Sequence, residues 1–278
     1  KKISKPKRIE IRTRHGKIPV DVYSPTQEDI ERQINKHQKP PVHVIYHGGA
    51  YILQYLRDEA SVARYLASEL GCYVVIPGYT AAPQVQFPVG EEQCYDALKW
   101  VHENGNLFGW DTSRISVGGN STGGKFCFDV ALQAIDDNGF VPIAISSEIP
   151  SLDLSRSDSS RTSSKKRPLV NTWMINLVRN TYFKGADTSS PQASPVLHAK
   201  IGELPPVLII TAEHDTLRHE GNEFAEKLKS LGVQVTHKEF KDVDHGFMHF
   251  KATKAQAKEE TALILRHLQK AYLKALSN

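Results

Sequence analysis

The sequence predicts an α/β fold: a mostly parallel central sheet with helices on both faces. Three observations predict it. Short apolar runs alternate with amphipathic helical patterns over most of the chain. The 278 residues, 40% hydrophobic and 24% charged, suffice for one large buried core. A Gly-x-Ser-x-Gly turn at residues 119–123 joins one of the apolar runs to one of the helical patterns.

Residues 8–22 alternate apolar and polar side chains around His15-Gly16, the pattern of an antiparallel hairpin. Residues 26–39 are polar, end at Pro40-Pro41, and read as a surface connection. Strands are then expected at 42–46, 72–76, 115–118, 143–146, 207–211 and 234–240. Helices are expected at 59–70, 91–103, 124–136, 221–231 and 254–276. Residues 151–167 break the rhythm, crowded with Ser, Arg, Lys and Asp, and a helix is expected at 170–183. An insertion between two core strands is a place where lids are built, so residues 151–185 are a small cap candidate on a single domain spanning 1–278.

The formal net charge is +4 with scattered basic residues. The dense group Lys1, Lys2, Lys5, Lys7 and Arg8 reads as a solvated tail rather than a nucleic-acid face. No apolar run reaches the length of a membrane span, and nothing at the start resembles a signal peptide. The chain opens on Lys1 rather than Met, which leaves room for a removed upstream segment. Three cysteines, Cys72, Cys94 and Cys127, cannot all pair within the chain, and their spacing fits no zinc pattern. Free thiols in a reducing, cytoplasmic setting are the expectation.

Ser121 is the candidate nucleophile. A serine at a sharp strand-to-helix turn adopts a strained backbone, flanking glycines let the turn close, and the helix N-terminus favours a developing anion. The same stretch nearly fits a phosphate-binding loop, since residues 119–125 read G-x-x-x-x-G-K. That loop needs Ser or Thr next, and Phe126 stands there. His47-Gly48-Gly49-Ala50 follows the first strongly apolar strand, where a glycine-rich backbone can approach a carbonyl oxygen. Its candidate oxyanion donors are Gly48, Gly49 and Ala50, with Thr122 after the nucleophile; such donors contribute roughly 3–4 kcal/mol each. Asp215 lies just past one late strand and His245 just past the last, giving the order Ser, Asp, His. Position singles out His245 among twelve histidines; no helical HExxH is present, and neither a metal nor a cofactor is expected.

Taken together, HGGAY, GNSTGG, HDTLRHEG and DHGF, in that order, resemble the hormone-sensitive-lipase-like esterases, the alpha/beta hydrolase fold-3 group. Tyr79-Thr80-Ala81-Ala82-Pro83, Phe87-Pro88 and the stretch 190–197 add to the resemblance, which covers the chain from about Arg8 onward. It implies the α/β-hydrolase fold, esterase activity on a small-molecule carboxylic ester, the triad Ser121, Asp215 and His245, and a cap over the acyl pocket. Against the family pattern, Ala50 replaces a glycine, Asn120 replaces the Asp of GDSAGG, Thr122 replaces its Ala, and His219 replaces an Asp. Most members also carry N-terminal cap helices, and only residues 1–7 precede the first expected strand. Ala50 and Thr122 are expected to crowd the reacting carbonyl, and the polar cap to limit the acyl chain to acetyl through about hexanoyl. An amidase, or a non-catalytic ligand-binding protein on the same fold, are the other readings; the four motifs leave the oligomeric state open.

Overall fold

The computed structural model describes residues 4–55 and 57–277, so Lys1 and Lys2 of the basic group lie outside the described residues. Eight strands form one sheet: β1 (Lys7–Thr13), β2 (Gly16–Tyr23), β3 (Val42–Tyr46), β4 (Tyr73–Pro77), β5 (Ile115–Asn120), β6 (Ile145–Glu148), β7 (Val207–Ala212) and β8 (Val235–Phe240). Their order is β1-β2-β4-β3-β5-β6-β7-β8. β1 and β2 form the expected hairpin, β2 meets β4 antiparallel, and every other pair is parallel. The helices are α1 (Gln27–Ile34), α2 (Ala60–Leu70), α3 (Val89–Asn104), α4 (Thr122–Asp136), α5 (Thr172–Thr181), α6 (Arg218–Ser230) and α7 (Lys254–Ala275).

Alternation along the strands divides the core into two layers. Val42, Val44 and Tyr46 of β3 pack with Val117 of β5 and with Leu98 of α3, Phe126 and Phe128 of α4, and Phe224 of α6. Ile45, Val74 and Leu208 point to the other face, against Leu66 of α2 and Ile264 and Leu268 of α7. The sheet is thus an α/β sandwich buried on both faces, which is why its strands read as near-continuous apolar runs.

Two expectations change. The polar stretch 26–39 holds a helix, α1, because Thr26 caps it by accepting the Asp29 N–H at 3.2 Å. β6 begins two residues later than expected and runs through Ser146, Ser147 and Glu148. Ser146 and Ser147 are buried, the Ser147 hydroxyl donating to the Gly124 carbonyl at 2.9 Å, so apolarity alone did not mark the strand. Cys72, Cys94 and Cys127 are buried free thiols. Among the described residues, no helix is long and apolar enough to cross a membrane.

Candidate active site

The carboxyl ends of β3, β5, β7 and β8 converge on one edge of the sheet, and each delivers one part of the site. β5 ends at Asn120, and Ser121 follows with φ 54° and ψ −116° as the residue before α4. This is the left-handed half of backbone space, where a non-glycine residue is strained. The turn is locked by the Ser121 N–H, which donates to the Glu148 carbonyl of β6 at 2.8 Å. Only glycine fits on either side. A Cβ at Gly123 would lie 1.9 Å from the Tyr46 carbonyl oxygen, and one at Gly119 would lie 2.4 Å from the same atom. The Gly-x-Ser-x-Gly spacing is therefore a packing requirement between the elbow and the end of β3.

The Ser121 Oγ lies 2.9 Å from His245 Nε2, and His245 Nδ1 lies 2.7 Å from Asp215 Oδ2. The other Asp215 oxygen accepts the Leu217 N–H at 3.0 Å, which fixes the carboxylate in the loop after β7. Asp215 is 1% exposed and His245 7%. Burial alone lowers the His245 pKa, but the charge and hydrogen bond of Asp215, helped by Asp244 and Glu220, raise it above the ordinary 6.5. Asp244, next in sequence to the histidine, is used elsewhere: one oxygen accepts the His245 backbone N–H at 2.7 Å and the other the Leu169 N–H at 3.0 Å.

The glycine-rich loop after β3 is tied at both ends. The Gly48 N–H donates to Glu59 Oε1 at 3.2 Å, and the Tyr51 N–H to Thr122 Oγ1 at 3.2 Å. Between these ties the Gly49 and Ala50 amides have no acceptor among the described residues, and the Thr122 amide is an orphan of the first helical turn. Gly48, one of the four expected donors, is thus already engaged. Ala50 adopts φ 51°, again left-handed, and packs against the core while lining the cavity. The Thr122 side chain, expected to crowd the reacting carbonyl, is 1% exposed and turned toward the loop it anchors.

These groups line a cavity of about 270 Å³ whose other walls are largely apolar: Ile149, Leu154, Leu169, Val170, Met174, Ile175, Val178 and Leu217. α5 thus contributes Met174, Ile175 and Val178 to the wall, whereas Trp173 is 70% exposed. Of residues 151–167 only Ser151, Leu154 and Arg161 reach the cavity. Much of that polar stretch binds the loop and helix after β7. Ser163 Oγ donates to the His214 carbonyl, Thr162 Oγ1 meets His219 Nε2 at 2.9 Å, and Arg156 forms a two-pronged pair with Glu223. Arg161 sits 3.2 Å from Glu220, whose carboxyl burial pushes up to about 7 and which also accepts the Leu152 and Asp153 N–H groups.

The phosphate-loop reading does not match this geometry. Lys125 is fully buried, its Nζ bound to Glu91, Asp129 and the Gln192 carbonyl, and so cannot reach a ligand at the turn. One group among the described residues, Glu213, His214 and Asp242, brings three possible metal-ligand atoms within 4.8 Å of one another. None of the three lines the cavity, and Glu213 already accepts the Asp242 N–H and faces Lys241.

A family model described as alpha/beta hydrolase fold matches residues 43–249. The chain is 33% identical over 258 residues to the carboxylesterase NlhH of Mycobacterium tuberculosis, covering 91% of this chain and 78% of that protein. It is 28% identical over 265 residues to an ethyl acetate hydrolase of Pseudomonas putida, covering 94% of this chain and 81% of that protein. Among solved structures it is similar to an esterase of Pyrobaculum calidifontis, with a TM-score of 0.87, 32% identity, and 97% and 86% of the two chains covered.

Proposed function

This chain belongs to the alpha/beta hydrolase fold family, on its hormone-sensitive-lipase-like branch, and is a carboxylic ester hydrolase; we propose that it cleaves short-chain esters with Ser121, His245 and Asp215 through an acyl-enzyme. The observation that carries the proposal is the unbroken hydrogen-bonded line from Ser121 Oγ through His245 to Asp215 Oδ2, together with the Gly49, Ala50 and Thr122 amides, which line the same cavity as Ser121 and have no acceptor among the described residues. Neutral His245 holds its proton on Nδ1 toward Asp215, and Nε2 takes the Ser121 proton as Oγ attacks the ester carbonyl. The carbonyl oxygen becomes an anion held by the Gly49, Ala50 and Thr122 amides. His245 returns the proton to the departing alcohol, and water repeats the sequence on the acyl group to release the acid. No step draws on a metal or cofactor.

Residues 151–185 are read as the cap, and its α5 face as the acyl wall. The cavity lies just below the roughly 300–1,000 Å³ of sites for drug-sized ligands, which suits a small ester. A methylene adds about 0.8 kcal/mol only while it is buried, so acyl carbons beyond the cavity add nothing. The relative named for ethyl acetate hydrolysis supports the same size class. Across nitrophenyl esters from acetate to palmitate, kcat/KM is expected to peak at or below hexanoate, with arylamides slower. A fluorophosphonate is expected to label Ser121 alone. A peak at decanoate or longer overturns the size class, and an adduct in residues 151–164 overturns the nucleophile.

The pH dependence follows from the raised His245 pKa. Only neutral imidazole can act as base, and Asp215 stabilises the charged form, so kcat/KM is expected to rise with pH through a value above 6.5. Linkage runs the other way: a raised folded-state pKa contributes stability below the unfolded value and loses it as pH climbs through the folded one. The enzyme therefore gains activity where the His245–Asp215 ion pair ceases to stabilise it. A kcat/KM profile flat from pH 5 to 8 speaks against His245 as the base.

A further inference from the structure

We propose that Glu59 is a positioning residue for ester hydrolysis, holding the two halves of the oxyanion site in register through the Gly48 amide and the Asn120 side chain. Glu59 stands before the first turn of α2, is 5% exposed, and lines the cavity, its hydrogen bonds going to Gly48 and Asn120 rather than to Ser121 or His245. One of its oxygens accepts both the Gly48 N–H at 3.2 Å and the Asn120 Nδ2 at 3.3 Å. Gly48 begins the loop that carries Gly49 and Ala50; Asn120 immediately precedes Ser121 and Thr122. A single carboxylate oxygen therefore spans the elbow and the glycine loop. Gly48 and Asn120 also press directly on each other, since a Cβ at Gly48 would lie 2.2 Å from Asn120 Oδ1.

The same contact accounts for Asn at position 120. A carboxylate there would put two buried acids about one hydrogen bond apart, with no donor between them. The amide supplies that donor. Glu59 and Asn120 are thus a matched pair, and neither tolerates change alone. With Glu59 removed, the Gly48 amide loses the acceptor that ties it to the elbow, and donors that must sit within hydrogen-bond distance of the oxyanion lose part of what fixes their place.

The inference rests on the proposed roles of Ser121 and the loop amides, and the experiment separates the two. Four variants are compared with the wild type: Glu59→Ala, Glu59→Gln, Asn120→Asp, and the double change Glu59→Gln with Asn120→Asp. Each is assayed for kcat and KM on a nitrophenyl acetate series, for thermal midpoint, and for binding of a trifluoromethyl ketone, which adds to the serine and places an oxyanion in the hole. Glu59→Ala and Asn120→Asp are expected to lower kcat about 10–100-fold with KM within about threefold. Ketone affinity is expected to fall in step with kcat/KM. The double variant is expected to recover most of the loss, because the introduced glutamine can accept from the Gly48 amide and donate to the introduced aspartate. Failure of the wild type to be labelled by the fluorophosphonate overturns the catalytic reading, and this proposal with it. A labelled wild type with Glu59→Ala and Asn120→Asp both within twofold in kcat, or ketone affinity unmoved while the thermal midpoint falls, overturns the positioning role alone. If Glu59→Ala does not fold, Asn120→Asp and its rescue decide the question.

Discussion

Ser121→Ala is expected to lower kcat by about 10⁶-fold, leaving only the slow hydrolysis that binding and the oxyanion amides can support. The size of the loss reflects how completely the chemistry depends on one atom. Ser121 is the hydroxyl bonded to His245, and it is held by a strained φ that glycines on both sides make possible. Ser151 and Thr122 also line the cavity, but Thr122 turns its hydroxyl to the Tyr51 amide and is no substitute. Alanine tolerates the same backbone as serine here, so the variant should fold as the parent does. Single-turnover hydrolysis of an activated ester, compared with the uncatalysed rate, measures the effect; a loss below about 10³-fold means that another nucleophile acts.

Asp215→Asn is expected to lower kcat by about 10⁴-fold, while Asp244→Asn changes it by less than about tenfold. The two acids lie near the same histidine, and their hydrogen bonds separate them. Asp215 meets Nδ1 from across the strand ends at 2.7 Å, whereas Asp244 is occupied by two backbone N–H groups. An amide at 215 can present its NH₂ to Nδ1 and so select the tautomer whose Nε2 carries the proton, which cannot accept one from serine. It also removes the charge that raises the His245 pKa, so the residual activity should titrate at lower pH. The pair of variants, assayed from pH 5 to 9, tests both statements. A larger loss in Asp244→Asn reverses the assignment.

Most of this arrangement is legible in the sequence because the elbow and the loops obey rules written in adjacent residues. Gly119 and Gly123 are legible since their contact with Tyr46 permits nothing else, and Asp215 and His245 since each follows an apolar strand. Legibility ended where the geometry depends on partners distant in sequence. Glu59 is one acid in a polar stretch, and nothing local tells that its oxygen will meet Gly48 and Asn120. Similarly, the Ser- and Arg-rich stretch 151–167 looked too polar to enclose a pocket. Much of its polarity serves the loop and helix after β7, and most of the apolar wall comes from residues 169–178, with Leu154 the one apolar contribution of the stretch itself. The engaged Gly48 amide and the inward-turned Thr122 were hidden for the same reason.

The position of β8 at the open edge of the sheet has a consequence for how the enzyme fails. Among the described residues β8 pairs with β7 alone, yet the loop after it supplies His245, whose bond to Ser121 closes a span of 124 residues. Edge elements open at lower free energy than the core they rest on. Ser121, by contrast, is set by β5 in the middle of the sheet, with neighbours on both sides. Fraying of that one edge would part His245 from Ser121 while the elbow and most of the fold stand intact. Heat or denaturant would then silence the enzyme before it unfolds it, and cooling or dilution would return activity as quickly as one strand can dock again.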